Sequence, residues 1–471
     1  MKVHLSAICG TAMASLAGLL REQGHEVSGS DQDVYPPMST QLEALGIRIL
    51  SPYAEANVPG DADLVVIGNA LSRGNPEIEI VLDRGQSYTS LPALLADEFI
   101  RGRFSLVVAG THGKTTTTSL LAFLLERAGL DPSFLVGGVP VDFAHSYKLG
   151  RGRHFVIEGD EYDCAFFDKR PKFVHYRPDV GIIGNVEFDH ADIYPDLAAV
   201  KTAFQRFIDV IPRRGLLIAG VESETVRELL PRARCRVETF AIGRDAEWRA
   251  EEIATEAGQT RFRVRRGGED LGIFRLTLAG DHNVRNALAA LAAGREAGVP
   301  LEAARGVLPA FRGVRRRLEL RGREGGVAVY DDFAHHPTAV RATLEALRAL
   351  EASALQGGGR LWAVFEPRSY TSRTRIFQDA FAAAFEEADQ VLIAAAHLPG
   401  KVPEAQRLSE VDLVRSIAAH GRSARFIPEV GAIVEALAAE LRAGDVVAVL
   451  SNGGFGGIHG RLLDALRQAP R

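Results

Sequence analysis

Gly110-Thr111-His112-Gly113-Lys114-Thr115-Thr116 is the stretch on which the reading of this 471-residue chain turns. The apolar run from Ser105 to Ala109 leads into it, and Leu120, Leu121, Leu124 and Leu125 follow on one repeating face. Strand, glycine turn, lysine and hydroxyl, then helix is the build of a phosphate cradle. Free N–H groups at the helix N-terminus point at the anion, and the helix dipole adds partial positive charge. Lys114 is then placed to reach the β/γ phosphates, and the Thr115 hydroxyl to hold Mg²⁺. The general pattern G-x-x-x-x-G-K-[ST] asks for glycine at position 108, where this chain has Val108. The lysine end of the motif is intact and its opening turn is tighter.

The bulk numbers bound what surrounds this loop. At this length two to four domains are expected. Basic and acidic residues nearly balance, 55 against 60, for a net charge of −5, which speaks against nucleic acid or an anionic membrane as main partner. A hydrophobic content of 46% suffices for ordinary cores. No apolar run is long enough to span a bilayer. Lys2 to Ile8 reads as a strand, because Gly10 follows at once, and not as a signal peptide. Cys9, Cys164 and Cys235 are odd in number and far apart, so neither a disulfide framework nor a zinc site is expected, and the expected compartment is the cytoplasm.

Short apolar strands alternate with helical patterns, which predicts an α/β protein with mainly parallel sheets. Three domains are expected. Residues 1–101 read as Rossmann-like, with strands near Val3–Ile8, His25–Ser28 and Leu64–Ile67. Residues 102–314 read as a P-loop ATPase-like domain whose stretch from Pro212 to Leu278 forms a small strand-rich annex. Residues 315–471 read as a second Rossmann-like domain, with strands near Val327–Tyr330, Leu361–Phe365, Val391–Ala395 and Val446–Leu450. Polar and glycine residues gather just past the ends of these runs, where open α/β sheets bind ligands. Three such edges facing one cleft is the architecture this pattern predicts.

Several residues carry chemistry by position. Glu158 ends the apolar run His154–Ile157, where a carboxylate can hold Mg²⁺. Asn185-Val186-Glu187-Phe188-Asp189-His190 follows a second run. Asp281 reads as the N-cap of a helix reaching about Glu296, with Asn283 and Asn286 on one face to meet an adenine or a ribose, or simply to cap. Pro337 suits a first helical position, which places His335 and His336 at a helix mouth. Arg368, in Glu366-Pro367-Arg368-Ser369, offers a cation to phosphate or carboxylate. Asn452 lies in the turn Ser451-Asn452-Gly453-Gly454-Phe455-Gly456-Gly457, which admits close backbone approach. In the first block, Gly10 and Thr11 follow the first strand and Asp31 the second, where an acid often meets a ribose; Asn69 follows Leu64–Ile67.

Taken in order, these motifs resemble the Mur ligases, ATP-dependent amide-bond formers of bacterial cell-wall synthesis. The shortened loop Gly110 to Thr115, Glu158, Glu187-Phe188-Asp189-His190, His282-Asn283…Asn286 and Asp331-Asp332-Phe333-Ala334-His335-His336-Pro337 carry the likeness, which covers essentially the whole chain. Finer stretches resemble the branch that attaches a preformed tripeptide more than the branch that attaches free alanine. They are Ile8 to Thr11, Gly29-Ser30-Asp31 with Val34 to Thr40, Asp160-Glu161-Tyr162-Asp163 with Ala165 to Arg170, Arg316 to Gly322, and Ser451 to His459. Gly159 stands where the pattern has alanine, and there is no Asp-Asn-Pro-Arg, the motif by which a diaminopimelate-adding relative reads its amino acid.

The resemblance implies substrates and roles. ATP is the co-substrate, and UDP-N-acetylmuramate and a cell-wall tripeptide are the partners. Two Mg²⁺ ions are implied, one on Thr115 and Glu158 and one near His190. Lys114, Glu158 and His190 are the expected catalytic residues. Gly110, Thr111, His112, Gly113, Lys114, Thr115, Thr116, Asn283, Asn286 and Asp331 are expected at ATP, and Gly10, Thr11, Asp31 and Asn69 at the uridine nucleotide. His335, His336, Arg368 and Asn452 are expected at the peptide. A nucleotide switch that ligates nothing is the alternative from another class; two further substrate-like blocks and a metal set speak against it.

Overall fold

The structure is a computed structural model that describes residues 1–34, 38–256, 258–398, 400 and 402–468. Tyr35, Pro36 and Pro37, part of one stretch quoted above, lie outside the described residues.

Three large sheets organise the chain, beside a two-stranded hairpin of Asp163–Ala165 with Asp168–Pro171. The first has five parallel strands in the order Ile49–Leu50, Glu26–Ser30, Lys2–Ser6, Leu64–Ile67 and Tyr88–Ser90. Its central strand Lys2–Ser6 is buried on both faces, Val3 and Leu5 on one and His4 and Ser6 on the other, as a parallel sheet covered on both sides requires. The first strand ends two residues before the expected Ile8, because the chain turns at Ala7 with φ 69°. The second runs Glu26–Ser30, later than the expected His25–Ser28, because Ser30 still pairs with Ser6.

The second sheet has ten strands. Arg236–Ile242, Leu216–Gly220, Val180–Ile183, Phe104–Ala109, His154–Gly159 and Ser133–Leu135 run parallel, in that spatial order. Trp248–Glu256, Gln259–Arg266 and Glu269–Leu276 form an antiparallel meander at one edge, and Tyr147–Lys148 pairs antiparallel with Ser133–Leu135 at the other. The strand-rich annex expected over Pro212 to Leu278 thus continues the sheet of the central block. Phe240 pairs in parallel with Trp248, and fully buried Trp248, Phe262 and Phe274 share one core with the leucines of the helix Lys114–Arg127. That helix packs beside Asp281–Glu296, whose small residues Ala287 to Gly294 are buried on nearly every side.

The third sheet orders Glu319–Glu324, Val327–Asp332, Val446–Leu450, Leu361–Phe365, Gln390–Ile393 and Ser423–Phe426. The first pair is antiparallel and the others are parallel. The strand expected over Val327–Tyr330 continues through Asp331 and Asp332, which pair with Val449 and Leu450. The strand expected to reach Ala395 ends at Ile393, the last residue paired with its neighbours. Among the described residues, no helix is long and apolar enough to cross a membrane.

Candidate active site

The carboxyl ends of strands from all three sheets open on one cleft of about 1770 Å³. Gly10 and Thr11 line it from the first sheet, Thr111 to Thr117 and Glu158 from the second, and Asp332, Arg368 and Asn452 from the third.

The loop's geometry explains Val108. That residue is buried inside the strand Phe104–Ala109, with Ile182 and Glu158 as its neighbours in register. The strand thus runs on to Ala109, and the turn begins only at Gly110, whose φ is 136°. Gly113 has φ 81°, and a Cβ there would lie 2.4 Å from Asn286 Oδ1. Glycine is required at that position both by the left-handed backbone and by the approach of Asn286. Asn286 is held in turn by donating to Asn283 Oδ1 at 3.2 Å, while Asn283 donates to Ala279 O at 2.8 Å. Both asparagines line the cleft beside the loop. Gly280, not Asp281, is the N-cap of their helix, and Asp281 is its first residue.

The same register that buries Val108 delivers Glu158 to the loop. Thr115 Oγ1 donates to Glu158 Oε1 at 2.9 Å, and the Gly137 N–H donates to Oε2 at 2.8 Å. Arg317 donates to Thr115 Oγ1 at 3.4 Å from the far side of the cleft. A hydroxyl and a carboxylate on a cleft wall form a hard-oxygen pair of the kind Mg²⁺ takes, so these two residues fit such an ion.

Lys114 belongs to a buried charge network. Its Nζ donates to Glu161 Oε2 at 2.8 Å and to Gly110 O at 2.7 Å. Glu161 Oε1 lies 3.0 Å from His190 Nε2, and Tyr194 donates to the Glu161 carbonyl at 2.7 Å. Asp160 accepts from Lys172 at 2.7 Å, and the Tyr162 ring sits 4.3 Å from His190. Burial works against the Lys114 charge, but the Glu161 and Asp160 carboxylates outweigh it and hold its pKa above the ordinary lysine value. Burial likewise opposes charge on His190, and Glu161 outweighs it and raises that pKa. Removing one partner from a buried pair of this kind costs about 3–5 kcal/mol, because the other charge is left without compensation. His190 thus stands with a carboxylate oxygen beside its ring nitrogen, next to the phosphate loop.

Across the cleft the two adjacent aspartates point to opposite faces of their strand, as period-two alternation dictates. Asp332 lines the cleft, where burial raises its pKa against the nearby Arg317 charge. Asp331 does not line it. Its carboxylate lies 3.5 Å from Arg316, 3.4 Å from Arg321 and 3.3 Å from His459. His335 lines the cleft, whereas His336 is 4% exposed and caps its helix, accepting from the Thr338 N–H at 3.3 Å. His336 Nε2 donates to Phe188 O at 3.2 Å, so the ring bridges the second and third sheets. Glu187 joins the same bridge: it accepts from Thr338 Oγ1 at 2.7 Å and lies 3.4 Å from His112 Nε2. Arg368 crosses so close to the glycine turn that a Cβ on Gly453 would lie 2.0 Å from its Nε. Asn452 Oδ1 is buried with no hydrogen-bond partner at the cleft wall.

In the first sheet, Asp31 accepts from the Cys9 N–H at 2.8 Å and from the Tyr53 hydroxyl at 3.2 Å, which fixes the turn before Gly10. Asp31 and the exposed Asn69 do not line the cleft. Glu161, Asp332, Arg317 and Thr338 are among the site residues that the sequence motifs leave without a role. Glu161, Asp332 and Arg317 lie inside the family-like stretches, and only folding shows which of neighbouring charged residues faces the loop.

Three family models match the chain: the Mur ligase family catalytic domain over residues 2–102, the Mur ligase middle domain over 108–294, and the Mur ligase glutamate ligase domain over 316–453. The UDP-N-acetylmuramate–L-alanyl-γ-D-glutamyl-meso-2,6-diaminoheptandioate ligase of Escherichia coli strain K12 is 44% identical, over 99% of this chain and 98% of its own length. The UDP-N-acetylmuramate–L-alanine ligase of Desulfatibacillum aliphaticivorans is 34% identical, over 96% and 95%. A murein peptide ligase of Psychrobacter arcticus superposes with a TM-score of 0.74 at 39% identity, covering 100% of both chains. A UDP-N-acetylmuramate–alanine ligase of Thermotoga maritima superposes with a TM-score of 0.81, but at 24% identity over 98% of both chains it speaks to the fold alone.

Proposed function

The chain belongs to the Mur ligase family, and on that premise we propose that it joins the lactyl carboxylate of UDP-N-acetylmuramate to the alanine amine of L-alanyl-γ-D-glutamyl-meso-diaminopimelate, forming ADP and phosphate. The substrate choice rests on the 44% identity to the tripeptide-adding enzyme along nearly the whole length of both chains. Two alanine-adding relatives are 37% identical. Peptidoglycan recycling in the cytoplasm is the setting that these substrates give it. Residues 1–101 then hold the uridine nucleotide, 102–314 ATP, and 315–471 the peptide.

The chemical problem is that a carboxylate is a poor electrophile and must meet another anion. Its oxygen attacks the γ-phosphorus, ADP leaves, and the acyl phosphate is then opened by the amine with loss of phosphate. Lys114 neutralises the phosphates, and the loop N–H groups orient them. Asn283 and Asn286 position the nucleotide against Gly113. Thr115 and Glu158 would hold one Mg²⁺ and His190 a second; bound there, the metal offsets the charge of the two approaching anions. Arg368, His335 and the unpartnered Asn452 Oδ1 offer contacts to the peptide. Arg317 and Asp332, opposite the phosphate loop, close the cleft against the water that would hydrolyse an acyl phosphate.

Substrate labelled with ¹⁸O in the lactyl carboxylate tests the chemistry. One labelled oxygen appears in the released phosphate if the carboxylate attacks phosphorus; unlabelled phosphate would refute the reading.

A further inference from the structure

A lysine ammonium has three N–H donors, and around Lys114 Nζ all three find acceptors: Gly110 O at 2.7 Å, Thr111 O at 3.5 Å, and the Glu161 carboxylate at 2.8 and 3.2 Å. Two of these acceptors belong to the loop backbone and move only if the turn itself changes. The third is a side chain with somewhere else to go. Glu161 Oε1 is already 3.0 Å from His190 Nε2, and its main chain is pinned by Tyr194. The carboxylate can therefore leave Lys114 by side-chain rotation while remaining paired.

We infer that Glu161 is a resident anionic competitor for the phosphate-loop lysine, a positioning residue whose carboxylate holds Lys114 at the seat the nucleotide's terminal phosphate takes. A phosphate oxygen that reaches Nζ needs one donor released, and repulsion between phosphate and carboxylate selects Glu161 as the group that yields. The side chains of Glu161 and Lys114 are only 2% and 12% exposed, so this repulsion is weakly screened. The competition grows with the charge that arrives: a triphosphate places its γ group against Glu161, whereas a diphosphate presents less. Glu161 thereby weakens retention of the triphosphate more than that of the diphosphate, and its carboxylate keeps its contact with His190 Nε2 when phosphate arrives. The inference rests on the ATP reading of the loop proposed above.

Isothermal titration with Mg²⁺ plus either ADP or the β,γ-imido analogue of ATP separates the two ideas. In Glu161→Gln the analogue is expected to bind about tenfold tighter, equivalent to about 1.4 kcal/mol, with a clearly smaller gain for ADP. In turnover, KM for ATP should fall together with kcat, a split that mere loosening of the fold would not produce. Glu161→Asp keeps the charge but draws it back by one methylene; it should show the same ordering with a smaller gain, and it serves if the Gln variant does not fold. Equal gains for both nucleotides, no gain, or weaker binding in a folded variant would overturn the inference alone. Wild-type protein that binds neither nucleotide would bring down the ATP reading and the inference with it.

Discussion

Lys114 and Glu158 do different electrostatic work, and single substitutions should separate them. Lys114 sits where phosphate charge develops, so Lys114→Ala should cut kcat/KM by about a thousandfold or more, measured as phosphate release with saturating acceptor. Glu158→Gln keeps the shape and the Gly137 contact but removes the anionic oxygen facing Thr115. It should raise the Mg²⁺ concentration for half-maximal rate by about ten- to a hundredfold; an unchanged metal response would remove Glu158 from the metal site. His336 carries a pH signature. Burial, reinforced by the nearby His112, pushes its pKa down to about 4. The unfolded chain, with a value near 6.5, binds the proton more tightly, so the neutral ring's contribution is full above about pH 6.5 and is lost as pH falls towards 4. Between pH 7.5 and 5 this linkage amounts to about 2 kcal/mol. His336→Asn keeps a capping acceptor, and denaturant melts of that variant should fall less over the same interval. An equal fall would show that the ring does not carry the dependence.

At the scale of elements, the phosphate loop was legible because its signal is local: strand, glycine turn, lysine and helix lie within one continuous stretch. Val108 needed the register to be understood, since only the pairing with Ile182 and Glu158 shows that the strand continues to Ala109. The loop's strictest demand is Gly113, where positive φ and the 2.4 Å approach of Asn286 coincide. Gly113→Ala should therefore weaken ADP binding at least tenfold in titration, about 1.4 kcal/mol, and ADP binding equal to wild type would show that the loop tolerates a Cβ there. Strand ends were read less well than strand centres. Apolar runs locate buried strands, but Ala7 and Ile393 mark ends set by a turn and by loss of a pairing neighbour. The stretch from Pro212 to Leu278 reads as a strand-rich annex of the central block because its alternating pattern differs from the buried parallel strands. The parallel pairing of Phe240 with Trp248, which makes it one sheet with the loop, is a long-range contact that the pattern does not encode.

Across the whole molecule, the expectation that three sheet edges face one cleft agrees with the structure, because each edge was marked by polar residues at strand ends. Less legible were contacts that join separate parts of the chain. Glu161 meets Lys114 from 47 residues away, Thr338 meets Glu187 from 151, and Arg317 meets Thr115 from 202. No local pattern distinguishes such acids and arginines from solvated ones. Asp331 and Asp332 show the same limit at one step of sequence, since only the orientation of the strand decides which lines the cleft. The whole-molecule claim is that this cleft brings ATP, a sugar-nucleotide carboxylate and a peptide amine together. Its most direct test is ADP release by purified protein given ATP, Mg²⁺ and UDP-N-acetylmuramate, with alanine, the dipeptide or the tripeptide as amine. Rapid release is expected with L-alanyl-γ-D-glutamyl-meso-diaminopimelate and little with free alanine; release with alanine but not the tripeptide, or with no amine at all, would overturn that claim.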